Sequence, residues 1–403
     1  MSGVFDRLKS VLGPEAVTID ESGTPRVAPP TEDGVRLACE LATEHGWRIR
    51  IEGRGSWLPP DAPADMILSS AGLASVVRVS AADLVATAQA GVTLGDLRER
   101  LAEDGMWLTI DPPGKPERTV GSIVATATSG PLRTRFGGIR DQILGCTVVT
   151  ADGRVIESGG QVVKNVAGFD LTKLQVGGFG GFGMLTTVHL RLHTLPRADV
   201  TAVARGPRDT LTAAGRAIVQ TGLEVATLEL LSPTAAAEPE WTLAARVLGG
   251  EALVQAVVPR LGAVSDLSWQ VLSGERGAAL WRLVAGATNA GPLSFRLGVL
   301  VDGLDEVLDT ITHNLGDGIV TAGAAAGGLR WTGTIEPDRL RAFRHTMALQ
   351  EIPLTVERAP WPLRREVGHF GAYREGVGRV VGRLRETFDP AGRLSVALEG
   401  RDD

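Results

Sequence analysis

The stretch VGGFGGFGML carries Gly178, Gly180 and Gly183 in the pattern G-x-G-x-x-G of a nucleotide-binding turn. In a Rossmann fold this turn follows a strand and opens a helix, whose first N–H groups face the pyrophosphate. Here the preceding residues, DLTKLQV, predict a short helix capped by Asp170. The following residues, MLTTVHLRL, alternate between apolar and polar as a half-buried strand does. The order helix, glycines, strand is the reverse of the Rossmann order and argues against that fold.

The composition is that of a globular chain with room for two or three domains. Of 403 residues, 43% are hydrophobic and 22% are charged, and the formal net charge is −6. A nucleic-acid-binding protein would show a basic face, so no such partner is expected. No apolar run approaches the ~20 residues of a membrane helix. The start, MSGVFDRLKSVLG, is too charged for a signal peptide. The sequence therefore predicts a cytoplasmic protein without an integral membrane segment.

Metal chemistry is not expected from this chain. Cys39 and Cys146 lie apart in apolar surroundings, which predicts buried, reduced thiols rather than a disulfide. Neither belongs to a C-x-x-C pair, so zinc and iron–sulfur ligands are missing. His313 begins HNLGDG, which is similar to a metal-binding loop, but no second histidine lies nearby. A plain Gly-Asp-Gly turn is the better interpretation.

Periodicity and turn signals divide the chain into two α+β regions and a tail. Residues 1–195 combine short strands and helices, including a hairpin that turns at Asp152 and Gly153. Residues 196–370 alternate helices with apolar strands such as VATLELL and SFRLGVLV. Residues 371–403 predict an amphipathic helix followed by an extended tail.

Three glycine-rich segments fall in the first region, and they are Gly53–Ser56, Gly121–Gly138 and Gly177–Gly183. Glycine lets successive backbone N–H groups approach a pyrophosphate closely without a Rossmann helix. Each segment taken alone is also explained as a tight turn in a chain with 51 glycines.

Together the segments resemble, in order and spacing, the FAD-binding domain of the vanillyl-alcohol oxidase/PCMH flavoprotein superfamily, and within it the FAD-binding subunits of bacterial glycolate oxidase. The residues that carry the resemblance are IEGRGSW, DPPGKPERTVGSIVATATSGPLRTRFGGIRDQILG and GGQVVKNVAGFDLTKLQVGGFGGFGML. The C-terminal RETFDPAGRL and the short GGLRW at 327–331 are also similar. The resemblance implies an α+β fold with a PCMH-type FAD-binding domain of two α+β subdomains at 1–195. It further implies an α+β cap domain at 196–370, and a C-terminal helix and tail at 371–403 that return to the FAD-binding domain.

The resemblance also implies bound FAD and assigns residues to it. Gly53–Ser56 would wrap the pyrophosphate, and the remaining positions would line the flavin and phosphates. The full set is Gly53, Arg54, Gly55, Ser56, Pro113, Gly114, Thr119, Gly121, Ser122, Ser129, Gly130, Arg133, Arg140, Asp141, Gly183, Met184 and Leu185. Relatives that bind flavin covalently carry His or Cys beside this loop, whereas Ile51–Pro60 has neither, so we expect non-covalent FAD.

The sequence departs from the family pattern at several points. Phe169 replaces a usual tyrosine, so any role of that hydroxyl is lost here. Leu132 replaces one of a pair of arginines, and Trp57 stands where a lysine is common. The end of the chain reads LSVALEG instead of an N-P-G-R-like sequence.

Flavin chemistry on a 2-hydroxy acid needs a cation for the carboxylate and a base for the hydroxyl proton. The candidates are Arg133 or Arg135 in the first region, and Arg330 and His369 in the second. For Arg330 the alternative is an ion pair at the surface or between domains. For His369 the alternative is a partly buried structural histidine.

Two functions remain open. The first is an FAD-dependent oxidoreductase that acts on a small 2-hydroxy acid such as glycolate or lactate. The second is an FAD-carrying accessory subunit that leaves turnover to a partner flavoprotein and an iron–sulfur subunit. The second has support, because the cap sequence shows neither a metal-ligand cluster nor an acid–base pair. A sugar-nucleotide reductase of the same fold would need a nicotinamide site, for which there is no signal. We therefore expect a complex, with any membrane association peripheral and made through a partner.

Overall fold

The computed structural model describes residues 2–56, 63–160, 170–370 and 376–395. Its helices are α1 (Ser2–Leu12), α2 (Glu32–His45), α3 (Leu94–Glu103), α4 (Val120–Thr126), α5 (Arg133–Phe136), α6 (Ile139–Gln142), α7 (Leu171–Gln175), α8 (Arg208–Gln220), α9 (Pro233–Ala236), α10 (Glu251–Ser265), α11 (Gly274–Gly286), α12 (Leu304–Leu315), α13 (Pro337–Leu349), α14 (Trp361–Val367) and α15 (Val377–Phe388). Its strands are β1 (Val17–Ile19), β2 (Pro25–Val27), β3 (Ile49–Glu52), β4 (Met66–Ser69), β5 (Val76–Ser80), β6 (Val85–Gln89), β7 (Met106–Trp107), β8 (Ile143–Val149), β9 (Val155–Gly159), β10 (Met184–Arg191), β11 (His193–Thr194), β12 (Ala198–Gly206), β13 (Thr227–Leu231), β14 (Trp241–Gly249), β15 (Gln270–Leu272), β16 (Leu293–Gly298), β17 (Ile319–Gly323), β18 (Gly328–Gly333) and β19 (Leu354–Arg358).

The first sheet has the strand order β1-β2-β4-β3, with β2, β4 and β3 parallel and β1 antiparallel. Helices α1 and α2 pack against it around one apolar core. Helix α2 is capped at both ends: the Thr31 side chain accepts a hydrogen bond from Gly34 N, and Gly46 ends the helix at φ 72°.

The second sheet is antiparallel in the order β5-β6-β10-β8-β9, and α3 and α4 contribute to its core. On β10 and just after it, Val188, Leu190 and Leu192 are fully buried, while Arg191 is exposed. Helix α7 begins at Asp170, whose carboxylate accepts a hydrogen bond from Lys173 N. The predicted order of helix, glycine turn and strand is therefore confirmed.

The third sheet is antiparallel and runs in the order β15-β12-β14-β13-β17-β18-β16-β19, with short β11 and β7 paired separately. Helices α8, α10, α12 and α13 cover one face around the largest apolar core. Helices α9 and α11 cover part of the opposite face. The remainder of that second face lies against residues of the first region, which positions the site described below.

The C-terminal segment returns to the first region. Phe388 at the end of α15 packs against Phe179 and Phe182 of the glycine turn. Beyond it, Ile49 N donates to Arg393 O at 2.7 Å, and Ser395 N donates to Ile49 O at 2.8 Å. The α+β fold with a returning tail is thus confirmed.

The two thiols are buried in different cores, Cys39 in the first and Cys146 in the second. Burial raises the pKa of each thiol to about 12. The described residues contain no group of His, Cys, Asp and Glu side chains placed to hold a metal ion. None of the described helices is long and apolar enough to span a membrane.

Candidate active site

Charged side chains occupy alternate positions on the central strands of the third sheet. Successive side chains of a strand point to opposite faces, so a charge between two core residues lies on the face away from that core. Leu329 and Trp331 are fully buried on either side of Arg330, and Leu228 and Leu230 flank Glu229 in the same way. Arg296 and Arg246 follow the same alternation on β16 and β14, and Glu357 lies on β19 at a shift in the register between β16 and β19. The sheet therefore presents a row of charges to the first region.

Two arginines in this row face each other directly, because Arg296 on β16 pairs with Arg330 on β18. Like charges in cross-strand pairs repel. The repulsion is offset by Glu357, which is 2% exposed. Its Oε2 lies 3.0 Å from Arg330 Nε and its Oε1 lies 3.7 Å from Arg296 Nε.

The same guanidinium groups reach across to the first region. Arg330 Nη2 donates to Ser129 O at 2.8 Å, and Arg296 Nη1 donates to Ala127 O at 3.1 Å. Arg330 thus makes an ion pair within its own sheet and a hydrogen bond across to residues 127–129. These contacts hold the charged face of the third sheet against the end of α4.

A cavity of about 970 Å³ lies where the two regions meet. The first region supplies the loop 111–116 and the segment 127–133, and the third sheet supplies residues from β13, β14 and β16–β18. The cationic side chains on its wall are Arg98, Lys115, Arg133, Arg246, Arg282, Arg296 and Arg330. Arg133 is exposed and forms no ion pair with any carboxylate of the described residues. A pocket of this volume takes a small ligand, and its charge favours an anion.

Two acidic side chains also line the cavity, and both hold their protons unusually strongly. Burial raises the pKa of Asp111 to about 7. Leu132 N, which donates to both carboxylate oxygens, and the charges of Arg246 and Arg98 act in the opposite direction but do not outweigh the burial. Burial and the charge of Asp111 raise the pKa of Glu229 to about 8. Cavity residues with such shifts are candidates for proton transfer near neutral pH.

Arg118 is a buried residue that organises the cavity wall, and the sequence reasoning missed it. Its Nη1 donates to Pro113 O at 2.6 Å, and its Nη2 donates to Thr128 Oγ1 at 2.9 Å and to Thr126 Oγ1 at 3.1 Å. Burial lowers its pKa to about 10, so the guanidinium stays charged at neutral pH. It joins the loop before α4 to the segment after it. Its position within RTVGS was visible in the sequence, but its burial was not.

A narrower cleft adjoins the cavity between the first two sheets. Its walls are Ile51–Ser56, residues of α4, and the turn and strand at Phe179–Leu185. Ala125 and Thr126 line the cleft, and the next residue, Ala127, lines the cavity. The N–H groups of Arg54, Gly55 and Ser56 donate no hydrogen bond to any part of the chain that the structure describes. Free successive N–H groups, with Gly55 at φ 70°, can cradle an anionic phosphate.

The structure brings most of the predicted site residues to these two spaces. The cleft is lined by Gly53, Arg54, Gly55, Ser56, Gly121, Ser122, Gly183, Met184 and Leu185. The cavity is lined by Pro113, Gly114, Ser129, Gly130, Arg133 and Arg330. The residues that line neither space are Thr119, Arg140, Asp141 and His369.

Three of these outlying residues have visible structural roles. Thr119 Oγ1 accepts a hydrogen bond from Ser122 N at the start of α4. Asp141 accepts one from Gly138 N at 2.8 Å, and exposed Arg140 contacts Lys173 O. Trp57 and Phe169 lie outside the described residues, as does most of GGQVVKNVAGFD.

His369 is 2% exposed and lies edge-on to Phe179 and Phe370, at ring-centroid distances of 4.4 and 4.5 Å. Burial and the nearby Arg364 and Arg296 hold its pKa well below the usual value. Neither ring nitrogen has a hydrogen-bond partner within the described chain. These apolar and cationic surroundings favour a structural role for His369. The side chain is fully buried, whereas the sequence predicted partial burial.

The glycines of the cleft face the protein itself. A Cβ at Gly121 would lie 2.7 Å from Ala90 Cβ, and one at Gly183 would lie 2.5 Å from Val149 O. The sequence suggested that these glycines make room for the cofactor. In the structure they make room for the packing of α4 on Ala90 and of β10 on β8, which shapes the cleft indirectly.

Comparison with known proteins identifies the first region. Residues 25–159 match the family model described as "FAD binding domain". The chain contains an FAD-binding domain of the PCMH type. It is 37% identical to glycolate oxidase subunit GlcE of Escherichia coli over 126 residues, which are 31% of this chain and 36% of that protein. It is 34% identical to the mitochondrial D-lactate dehydrogenase [cytochrome] of Arabidopsis thaliana over 151 residues, which are 37% of this chain and 26% of that protein.

These matches span less than half the length of the curated relatives. The fold extends further than the sequence match. A structure of 4-ethylphenol oxidase from Gulosibacter chungangensis superposes with a TM-score of 0.77 at 15% identity, covering 99% of this chain and 97% of that one. At this identity the likeness concerns the fold alone.

The residues fit FAD. The N–H groups of Arg54, Gly55 and Ser56, which donate to none of the described residues, are available to a pyrophosphate, and the adjoining cavity is large enough for a flavin ring beside a small anion.

Proposed function

We propose that the chain is an FAD-dependent oxidoreductase for a small 2-hydroxy acid of the glycolate or lactate class. The proposed domains are 1–195 for FAD, 196–370 as the cap, and 371–403 as the segment that returns to the FAD-binding domain. Bound FAD would supply the two-electron acceptor, since a flavin ring takes up a hydride from a carbon next to a hydroxyl. Gly53–Ser56 and Gly121–Ser122 would hold its phosphates, and Pro113–Gly114 and Ser129–Gly130 would border the ring.

The observation that carries this proposal is the grouping of Arg133, Arg296 and Arg330 on one cavity wall, beside Ser129 and Gly130. Glu357 neutralises part of the charge of Arg296 and Arg330, and Arg133 has no carboxylate of its own among the described residues. The group therefore retains positive charge for a substrate carboxylate. Guanidinium forks bind carboxylates with defined orientation, which would fix the α-carbon relative to the flavin.

A second function has support from the comparisons. GlcE of Escherichia coli, to which part of the chain is similar, is a glycolate oxidase subunit. The chain could serve in the same way, as an FAD-carrying accessory subunit of a complex with a catalytic flavoprotein and an iron–sulfur protein. In that case the isolated chain would bind FAD and would be slow with 2-hydroxy acids.

One experiment separates the two. The purified chain is made anaerobic, mixed with glycolate or lactate, and followed by the visible absorbance of the flavin. Rapid loss of that absorbance supports an enzyme that is complete in itself. A bound flavin that neither acid reduces, but that is reduced after co-purified partner proteins are added, supports the accessory subunit. A chain that binds no FAD contradicts both.

The same preparation tests the mode of FAD binding. No His or Cys lies among Ile51–Ser56, the described part of the phosphate loop. Acid precipitation of the protein should therefore release the flavin chemically intact. Flavin that stays with the precipitate would show a covalent bond.

A further inference from the structure

The proposed reaction needs a group that removes the hydroxyl proton, and His369 does not line the cavity. Two carboxyl groups do, one from each side of the junction. Asp111 comes from the loop after β7 in the FAD-binding domain, and Glu229 comes from the middle of β13 in the third sheet.

Glu229 occupies an exceptional position for an acidic residue. It is 6% exposed and lies in a strand whose other members are all buried. Its cross-strand neighbours are Ala244 on β14 and Gly323 on β17, which are small and leave its carboxyl group room on the cavity side. A Cβ placed on Gly323 would approach Glu229 Oε1 to 3.4 Å.

Neither carboxyl group forms an ion pair with any of the described residues. Buried carboxylates are normally paired with a cation at close range. Arg246 and Arg98 act on Asp111, and Arg330 and Arg133 act on Glu229, but all four do so from beyond salt-bridge distance. The strongest interaction of Glu229 with another charged group is with Asp111. The two acids therefore titrate as a coupled pair.

We propose that Asp111 and Glu229, the two carboxyl groups on the cavity wall, act as an acid pair that accepts the hydroxyl proton of the substrate. This inference rests on the proposed function. The O–H bond of the substrate would break with its proton passing to the pair, the C–H bond of the α-carbon would break with its hydrogen leaving as a hydride that bound FAD would accept, and the C=O bond would form. The carboxylate held by Arg133 and Arg330 brings the hydroxyl group beside Glu229, because these two arginines are the cations that act on Glu229.

The pair is suited to this step, because burial keeps its proton affinity near that required at neutral pH. With one of its two carboxyl groups protonated, the pair carries one negative charge and can take up a second proton. A substrate anion bound nearby adds negative charge and raises the proton affinity further. Binding of an anion that cannot react should therefore draw protons from the buffer.

This linkage can be measured without turnover. The probe is oxamate, titrated into the FAD-containing protein by calorimetry at about pH 7.5 in buffers of different ionisation enthalpy. The wild-type protein should take up a substantial fraction of a proton for each oxamate bound. Glu229→Gln and Asp111→Asn should each take up less than half as much, while Glu240→Gln, which changes an exposed glutamate ahead of β14, should match the wild type.

The rate of anaerobic flavin reduction gives a second readout. Both pair variants should slow it by about 100- to 10,000-fold and lose the rise in rate between about pH 6 and 8 that the wild type shows. His369→Asn should retain that rise if it folds. If a variant does not fold, the proton uptake of the wild-type protein on oxamate binding is measured from pH 6 to 9 instead. That uptake should be greatest between about pH 7 and 8.

The outcomes separate this inference from the proposed function. Oxamate binding without proton uptake, or equal uptake in wild type and Glu229→Gln, overturns the acid pair and leaves the anion site intact. Failure of the wild type both to bind oxamate and to be reduced by any 2-hydroxy acid overturns the proposed function and the pair together.

Discussion

The FAD-binding domain builds its share of the site from loops, whereas the third sheet builds its share from side chains at alternate positions of regular strands. In the first case the relevant residues lie close together in sequence, as in Gly53–Ser56 and Pro113–Gly114. In the second case Glu229, Arg296, Arg330 and Glu357 are far apart in sequence and meet only through strand register. A contiguous motif can be recognised by reading along the chain, but a row of charges across a sheet cannot.

The comparison also distinguishes two kinds of contribution. The cleft supplies backbone N–H groups and close packing, which suit a cofactor that is held permanently. The cavity supplies fixed charges and two exchangeable protons, which suit a substrate that binds, reacts and leaves. Substitutions in the two spaces should therefore have different consequences for FAD content and for reaction with substrate.

Among the substitutions that contrast the cleft with the cavity, Arg330→Met should have the largest effect. This change removes a cation from the proposed carboxylate site and leaves Glu357 with a weaker partner at 3.7 Å. The rate constant for flavin reduction, divided by the substrate dissociation constant, should fall by about 100-fold or more. Its control is Arg282→Met, because Arg282 also lines the cavity but is 64% exposed and pairs with exposed Glu275. Equal effects of the two changes would refute the assignment of the carboxylate site.

A second pair of variants should divide cofactor binding from substrate binding. Ala125→Leu adds three carbons inside the cleft and should lower the fraction of protein that retains FAD by about tenfold. Gly328→Val adds its side chain in the cavity, where the nearest atom to a new Cβ is Arg133 Nη1 at 4.0 Å. It should keep FAD and weaken oxamate binding. Loss of FAD from Gly328→Val with retention in Ala125→Leu would reverse the roles of the two spaces.

The fold and the site were predictable to different extents. Residues 1–195 were predictable because their caps, alternating strands and glycine segments are local features, and Asp170 caps α7 as expected. The burial of Arg118 and the placement of Asp111 and Glu229 on one cavity wall depend on residues from separate segments, so no local signal shows them. Glu229 left one trace in the sequence, a single acid within the apolar run VATLELL. Arg140, Asp141 and His369 were inferred from family motifs or residue type, which do not report the direction of a side chain.

The glycines offer a further test, on stability rather than chemistry. Gly183 has φ 122°, and a Cβ there would meet Val149 O at 2.5 Å. Gly183→Ala should destabilise the FAD-free protein by about 2 kcal/mol, seen as a lower melting temperature. Gly286→Ala is the control, since a Cβ at Gly286 meets no atom within 4 Å and its φ is −76°. An unchanged melting temperature for Gly183→Ala would mean that this glycine serves the cofactor alone.

A last pair of proteins tests the pH dependence of stability. The pKa of Glu229 is raised from 4.5 to about 8 in the folded protein. The group therefore supports folding below about pH 4.5, and this contribution is lost as the pH rises from about 4.5 through about 8. Glu229→Gln cannot ionise, so its stability relative to the wild type should rise by about 4 kcal/mol between pH 5 and 9. Parallel pH profiles of the melting temperature in the two proteins would contradict the raised pKa.

A crystal structure of the protein grown with FAD and oxamate tests most directly that the cleft holds the cofactor and the cavity holds the substrate. The FAD phosphates should lie at the N–H groups of Arg54–Ser56, with the flavin ring in the cavity beside Pro113 and Gly114. The oxamate carboxylate should lie between Arg133, Arg296 and Arg330. The rest of the oxamate would then lie towards Glu229. An FAD molecule bound away from the cleft, or oxamate that avoids the arginine group while FAD is in place, would contradict this arrangement.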